Sequence, residues 1–332
     1  MLRPAASTFG PRATWQTLRL RAALLKQLRA FFDSRGFLEV ETPIVSADVV
    51  VDRHLDPLST TLAHNPPAPG DALTLWLQTS PEFHMKRLLA AGSGPIYQIT
   101  RAFRGGEQGR LHNPEFTMVE WYQPQAGYRH GMTLLSDLAR DLLGRGAAEV
   151  MTYRDAFLGY LRLDPHRATA NELRSAAQAA GVSIPETLAD DDRDAWLELL
   201  LVERVQPWLG IDRPLILCDY PGSQSALATT RCEANGVEVA ERFELYVSGV
   251  ELANGYHELR DPDELRRRNA INNDLRVRDG KPSLPVESLL LPAMESGLPP
   301  AVGVALGFDR LVMLAAGLSS VADAMAFPID RA

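Results

Sequence analysis

Residues 103–122, FRGGEQGRLHNPEFTMVEWY, constrain this chain more than any other stretch. An arginine closes one extended run, and a polar loop carries Glu107, Arg110, His112 and Asn113. A second run returns through Phe116, Glu120 and Tyr122. Two such runs around one loop make a hairpin. Alternate residues of a strand share a face. Phe116, Met118, Glu120 and Tyr122 therefore lie together, opposite Glu115, Thr117, Val119 and Trp121. A face that mixes Glu and Tyr with Phe and Met is a poor plain core, because a buried carboxylate is costly unless a cation or full hydrogen bonding compensates it. Glu120 thus pairs with a structural arginine or receives a cation from a ligand. The hairpin offers cationic, aromatic and acidic groups together, a surface suited to a nucleotide beside an amino acid.

The chain has 332 residues, 45% of them hydrophobic, enough for one large domain or two small ones with a substantial core. No apolar run approaches the roughly 18 residues of a membrane span, and the first residues hold no signal-peptide core. Cys218 and Cys232 cannot build a disulfide framework, and a reducing cytosol suits them. A net charge of −8 argues against gripping nucleic acid by bulk electrostatics. The basic segment of Arg266, Arg267, Arg268, Arg276, Arg278 and Lys281 reads first as a solvated helix face and second as a docking surface. Walker A, GxGxxG, HExxH and GxSxG patterns are absent, which sets aside P-loop, Rossmann, zincin and α/β-hydrolase chemistry. His84 reads as an ordinary helix residue.

Periodicity predicts helices over residues 14–35, 81–91, 131–143, 170–180, 194–205, 262–278 and 286–296, with Ser80 capping the second. Strands are expected over 37–42, 73–78, 95–103, 115–123, 215–219 and 303–308, and over 242–253 with a turn at Ser248-Gly249. Residues 64–71, HNPPAPGD, read as an exposed loop. No linker divides the chain, so one domain is expected over residues 1–332, with a helical insertion at about 164–212.

Two further strings carry chemistry. In ELANGYHEL, Glu251 ends a strand, Asn254-Gly255 breaks it and Glu258 follows. Two carboxylates and an amide there suit a metal–phosphate group on one side and an ammonium on the other, or else form a solvated turn. In GVALGFDR, small residues lead into a helix whose N–H groups favour anions, and Arg310 adds forked donors that fit phosphate.

With RGFLEVETP at 35–43 and QTSPEFHMKRLL at 78–89, these segments resemble the catalytic core of class II lysyl-tRNA synthetases along nearly the whole chain. The resemblance implies an α+β fold, a mainly antiparallel sheet flanked by helices, and a homodimer formed through the helix and strand around residues 35–43. The first-motif helix begins near Thr14, leaving no room for an anticodon-reading OB domain. That resembles the stand-alone branch that attaches a lysine-type residue, (R)-β-lysine or lysine, to translation elongation factor P. The alternatives are a small enzyme charging tRNA and a non-catalytic lysine-binding regulator.

Carried over by resemblance, Arg104 and Arg310 are the catalytic pair, meeting the phosphates of ATP. Gly106, Glu107, His112, Asn113, Phe116, Glu251, Leu252 and Gly307 complete the ATP site, with Phe116 under the adenine and Glu251 holding Mg2+. Ser80, Pro81, Glu82, Glu120, Tyr122, Asn254, Glu258 and Ala305 line the amino-acid pocket, whose three carboxylates suit a substrate with two ammonium groups. Two departures stand out. The family's R-x-E here reads Arg104-Gly105-Gly106-Glu107, which moves the adenine-reading carboxylate to Glu107 or hands its task to backbone groups. Ala305 stands where glycine is usual, and one methyl gives about 1–3 kcal/mol of discrimination between lysine isomers.

Overall fold

The computed structural model describes residues 9–62 and 73–332, so the loop expected at 64–71 lies outside the described residues. Two compact units divide the chain, one taking the residues up to Ala126 with Leu259–Ala332, the other Gly127–Glu258. The first opens with α1 (Trp15–Asp33), β1 (Leu38–Glu39), β2 (Val45–Ser46), β3 (Ser59–Leu62), β4 (Leu73–Leu77), α2 (Glu82–Ala90), β5 (Ile96–Phe103) and β6 (Glu115–Pro124). The second runs α3 (Tyr128–Leu143), β7 (Glu149–Thr152), α4 (Tyr153–Leu161), α5 (Ala170–Ala179), α6 (Arg193–Leu200), β8 (Leu215–Pro221), β9 (Thr230–Cys232), β10 (Glu238–Val247) and β11 (Val250–His257). The chain returns to the first unit with α7 (Pro262–Arg278), α8 (Leu290–Glu295), β12 (Ala301–Gly307) and α9 (Phe308–Ala315).

In the first unit, Thr14 caps α1 by accepting the Thr17 N–H at 3.1 Å. Its Phe32 stacks on Tyr97 at 4.6 Å and reaches Trp121 at 5.2 Å. Tyr97 and Trp121 are cross-strand partners, so α1 covers the Val119–Trp121 face of the sheet. The Glu120–Tyr122 face is thereby turned to the other side, as the parity predicts. The strands run β1-β5-β6-β12, antiparallel except for β1 on β5. The expected strand at 37–42 shrinks to β1, although Val40 N–H still donates to the Tyr97 carbonyl before Pro43. The expected helix at 286–296 is only α8. Ahead of it, α7 asparagines take the backbone instead: Asn273 bonds both the N–H and the carbonyl of Leu284, and Asn269 reaches the Val286 carbonyl.

The second unit orders its strands β11-β10-β8-β7, with β9 also on β10. Only β7 on β8 is parallel. Ser248 and Gly249 turn β10 into β11 with φ of 52° and 72°, the two-residue hairpin expected. Tyr153 stacks on Phe157 and leans on Tyr220, and Trp196, Leu197 and Leu200 of α6 join that core. α5 and α6 fall in the segment read as a helical insertion. Gly210 is obligatory: at φ +69° its Cβ would sit 2.2 Å from the Tyr246 carbonyl oxygen. The sequence-based break at Asn254-Gly255 is corrected, since β11 continues through both. Asn254 pairs in register with Glu244, and Arg242 and Tyr256 hold its amide.

Candidate functional site

Each unit builds its own constellation. In the first, the loop between β5 and β6 begins at Arg104, whose N–H donates to the Pro114 carbonyl at 2.9 Å. Its guanidinium lies over the Phe116 ring, 5.1 Å from the centroid, a cation–π seat. Glu107 stands 3.9 Å from both Arg104 and His112. From α9, Arg310 donates to His112 Nε2 at 2.9 Å and to the Leu111 carbonyl at 3.2 Å. The two arginines predicted to be catalytic thus converge on one Glu107–His112 pair. Burial, then the Arg310 charge, holds the His112 pKa below its usual value, and its Nε2 accepts from the Arg310 guanidinium. Gly106 takes φ +78° in this turn. A Cβ at Gly307 would meet Arg310 first, at an ordinary 3.6 Å, so the fold itself does not require glycine there.

Asn113 is buried, and its amide braces the loop by donating to the Glu115 carbonyl and accepting the Ile329 N–H. Its expected place in the ATP site therefore has to share the residue with a structural task. Asp309 aims Arg310: it pairs with Arg21 at 2.6 Å and accepts the Thr117 N–H at 2.6 Å, pinning the start of α9 to β6.

Behind the loop, register places Gln98, Glu120 and Ala305 in one cross-strand row on β5, β6 and β12. Ile96, Tyr122 and Gly303 form the next row. Glu120 is 2% exposed and accepts the Tyr122 hydroxyl at 2.6 Å. Ser80 accepts the Glu82 N–H at 3.0 Å beside buried Pro81, starting α2. Glu82 departs from the sequence reading: it arrives with its own ammonium, Lys86 Nζ at 2.5 Å, on a lysine only 2% exposed. Glu82 is thus already paired within the fold.

In the second unit, β10 and β11 present Arg242, Glu244, Tyr246, Glu251, Asn254 and Tyr256 on one face. Arg242 pairs with Glu244 at 2.5 Å, and Tyr220 and Tyr246 both donate to Glu244 at 2.5 Å. Glu258 is buried at the end of β11, and Leu252 is buried between them. Sequence reasoning missed Glu244, Arg242, Lys86 and Asp309. For Arg242 and Glu244 the signal was present: Arg-x-Glu-x-Tyr alternates on a strand as Glu120 and Tyr122 do.

Glu198 of α6 joins this face electrostatically. Burial pushes its carboxyl up to about 7 from 4.5, Glu244 and Glu251 add to that, and Arg242 opposes it. A carboxyl raised on folding binds more protons folded than unfolded, so stability should fall as pH rises between those two values and level off above. Although its carboxyl is desolvated, the residue as a whole is exposed, so solvent screens the effect to about 1 kcal/mol at most. Denaturant melts at pH 5 and pH 8 should show this slope in the parent and a flat response in Glu198→Gln; equal slopes would remove Glu198 as its source.

The family model for class II tRNA synthetases (D, K and N) matches residues 11–331. The chain is 46% identical to the elongation factor P–(R)-β-lysine ligase of Salmonella gallinarum over 327 residues, 98% of this chain and 99% of that one. The enzymes of the same name from Yersinia enterocolitica and Yersinia pestis are 46% and 45% identical over the same shares. Among the described residues no helix is long and apolar enough to cross a membrane.

Proposed function

The chain belongs to the class II tRNA synthetases of the D, K and N group, and we propose that it activates (R)-β-lysine with ATP and ligates it to a lysine side chain of elongation factor P. The observation that carries the chemistry is the convergence of Arg104 and Arg310 on the Glu107–His112 pair. The relatives' name, matched from end to end, carries the amino acid and the acceptor.

In the first step a carboxylate oxygen of the amino acid attacks the α-phosphorus of ATP, the bond to the β-phosphate oxygen breaks, and pyrophosphate leaves. Arg104 holds the α-phosphate and the attacking carboxylate, and Arg310 meets the outer phosphates. Phe116 supports the adenine, with Glu107 and backbone groups of Gly106 reading its edge. In the first unit Glu120 receives an ammonium group, and Ala305, directly across from it, narrows the floor between isomers; in the second, Glu258 is the candidate carboxylate for an ammonium. In the second step the acceptor amine attacks the acyl carbon, the acyl–phosphate bond breaks, and AMP leaves. No enzyme nucleophile is needed.

Among the described residues no group of three or more His, Cys, Asp or Glu side chains forms a metal cage. The Glu251 carboxylate, opposite Tyr246 on the β10–β11 pair, suits Mg2+, which is held through one or two carboxylates plus substrate phosphates. Glu251 would hold it, since Glu244 on the same face is already bonded to Arg242, Tyr220 and Tyr246; when bound it would offset phosphate charge. Free Cys218 and Cys232 agree with a reducing cytoplasm. Exposed Trp15 and Leu38, on α1 and β1, are the apolar surface a second copy would cover in a homodimer.

Transfer to tRNA is the less favoured reading. The basic stretch of α7 is largely neutralised within the fold: Arg266 pairs with Asp263 and Glu295, Arg267 and Arg268 with Glu264, and Arg276 is buried. Incubation with ATP, (R)-β-lysine or α-lysine, and either elongation factor P or tRNA separates the readings. Intact-mass analysis should show one lysyl unit gained by the protein, more with the β-isomer; label on tRNA alone would overturn the proposal. Glu258→Gln should raise the KM for the diamino acid at least about tenfold, about 1.4 kcal/mol, and leave the KM for ATP within twofold. Equal loss of both would take Glu258 out of the ammonium site.

A further inference from the structure

The basic end of α7 has an unassigned task. Arg276 is 1% exposed, and a guanidinium so buried needs every donor met. Its Nη1 donates to the carbonyls of Asp52 and Leu55, both at 2.9 Å, and to the Asp56 carboxylate at 3.1 Å, while Nε reaches the Pro282 carbonyl at 3.0 Å. Lys281 takes the other Asp56 oxygen at 3.0 Å and the Arg53 carbonyl at 3.1 Å. Asn272 accepts the Arg53 N–H at 3.0 Å, and the Arg53 side chain is forked on Asp279. Residues 52–56 form no helix or strand of their own. Asp52 closes their turn by accepting the His54 and Leu55 N–H groups, and the α7 side chains with Lys281 fix the segment from outside.

The Asp56 carbonyl then accepts the N–H of Gly105 at 2.6 Å. Gly105 directly follows Arg104. The peptide after Arg104 is thus tied to Asp56, and the one before it to the Pro114 carbonyl. The fit at Gly105 is close: an added Cβ would lie 3.1 Å from the Asp56 carbonyl oxygen and 3.3 Å from Leu58 Cδ2.

We propose that Arg276 is a positioning residue for Arg104, acting through the linkage Arg276–Asp56–Gly105. It rests on reading Arg104 as the group that meets the α-phosphate. A displacement of about 1 Å at a reacting group can cost on the order of 100-fold in rate; because Arg104 also holds the attacking carboxylate, a looser Asp56 lowers turnover more than it weakens amino-acid binding.

Two variants probe the linkage from opposite ends. Arg276→Lys keeps a cation but not the fork that grips two carbonyls and a carboxylate. Gly105→Ala leaves Arg276 alone and pushes the turn off Asp56. Each should lower the maximal rate of lysine-dependent ATP–pyrophosphate exchange about 10-fold or more in folded protein, with the KM for (R)-β-lysine within twofold. The double variant should be far less than additive, since one linkage is broken twice. Lowered thermal stability with an unchanged maximal rate in both variants would reduce Arg276 to a structural residue and overturn the proposal. If Arg276→Lys does not fold, Gly105→Ala decides by the same criterion. Arg104→Ala serves as the control: if it leaves exchange intact, the reading of Arg104 fails, whereas loss there with normal rates in the two variants sinks only the positioning role.

Discussion

Arg104→Ala is expected to lower lysine-dependent ATP–pyrophosphate exchange at least about 100-fold, equivalent to about 2.7 kcal/mol of transition-state stabilisation. The side chain is half-buried over Phe116, and its nearest carboxylate, Glu107, is 3.9 Å away. Its buried Nε donor meets no acceptor among the described residues. A guanidinium held in place yet incompletely bonded is available to the charge that develops on a reacting phosphate. For the same reason its removal should hardly change stability, so a thermal melt close to that of the parent accompanies the loss. Arg310→Ala should act in the same direction, with some cost to the loop because Arg310 also bonds His112 and the Leu111 carbonyl. A rate unchanged by either substitution would exclude that arginine from adenylate formation.

Lys86→Met is expected to destabilise the protein by about 3–5 kcal/mol. Lys86 and Glu82 are four apart on α2, both buried, and joined at 2.5 Å. Removing the ammonium leaves a carboxylate in a site that water reaches poorly, and an uncompensated buried charge costs far more than the pair itself contributes. Glu82→Gln combined with Lys86→Met should recover part of the loss, though not all, because Glu82 is not the only group Lys86 touches. Urea melts of the parent, the single and the double variants measure it. A single variant within 1 kcal/mol of the parent would mean that Glu82 finds another cation. The result also bears on specificity, since a carboxylate neutralised from within is not one that a substrate must neutralise.

Much of the frame was legible because its signals are local. Asp261 before Pro262 marks the start of α7 by two independent devices, a cap that accepts the Asp263 and Glu264 N–H groups and a proline at the first turn. Strand parity alone put Glu120 and Tyr122 on one face and Trp121 on the other, and α1 does cover the Trp121 face. The break read at Asn254-Gly255 failed because those residues favour turns in isolation, whereas here Arg242 and Tyr256 hold the asparagine within the ladder. The basic run of α7 looked uniform as a string. In the fold Arg267 is a surface partner of Glu264 and Arg276 is fully buried, a difference that only long-range neighbours create.

What the amino-acid order determined by itself was the family, the α+β plan and which residue types face one another along each strand, since caps, turns and period-two alternation act over a few residues. What only the tertiary structure decided was which charges are already compensated. Glu82 has Lys86, Asp309 has Arg21, and the turn after Arg104 leans on Asp56 and so on Arg276. The physical reason is that the cost of a charge is set by its surroundings within a few ångströms, and for Asp309 and Asp56 the arginine partners, Arg21 and Arg276, come from segments more than 200 residues away in the chain.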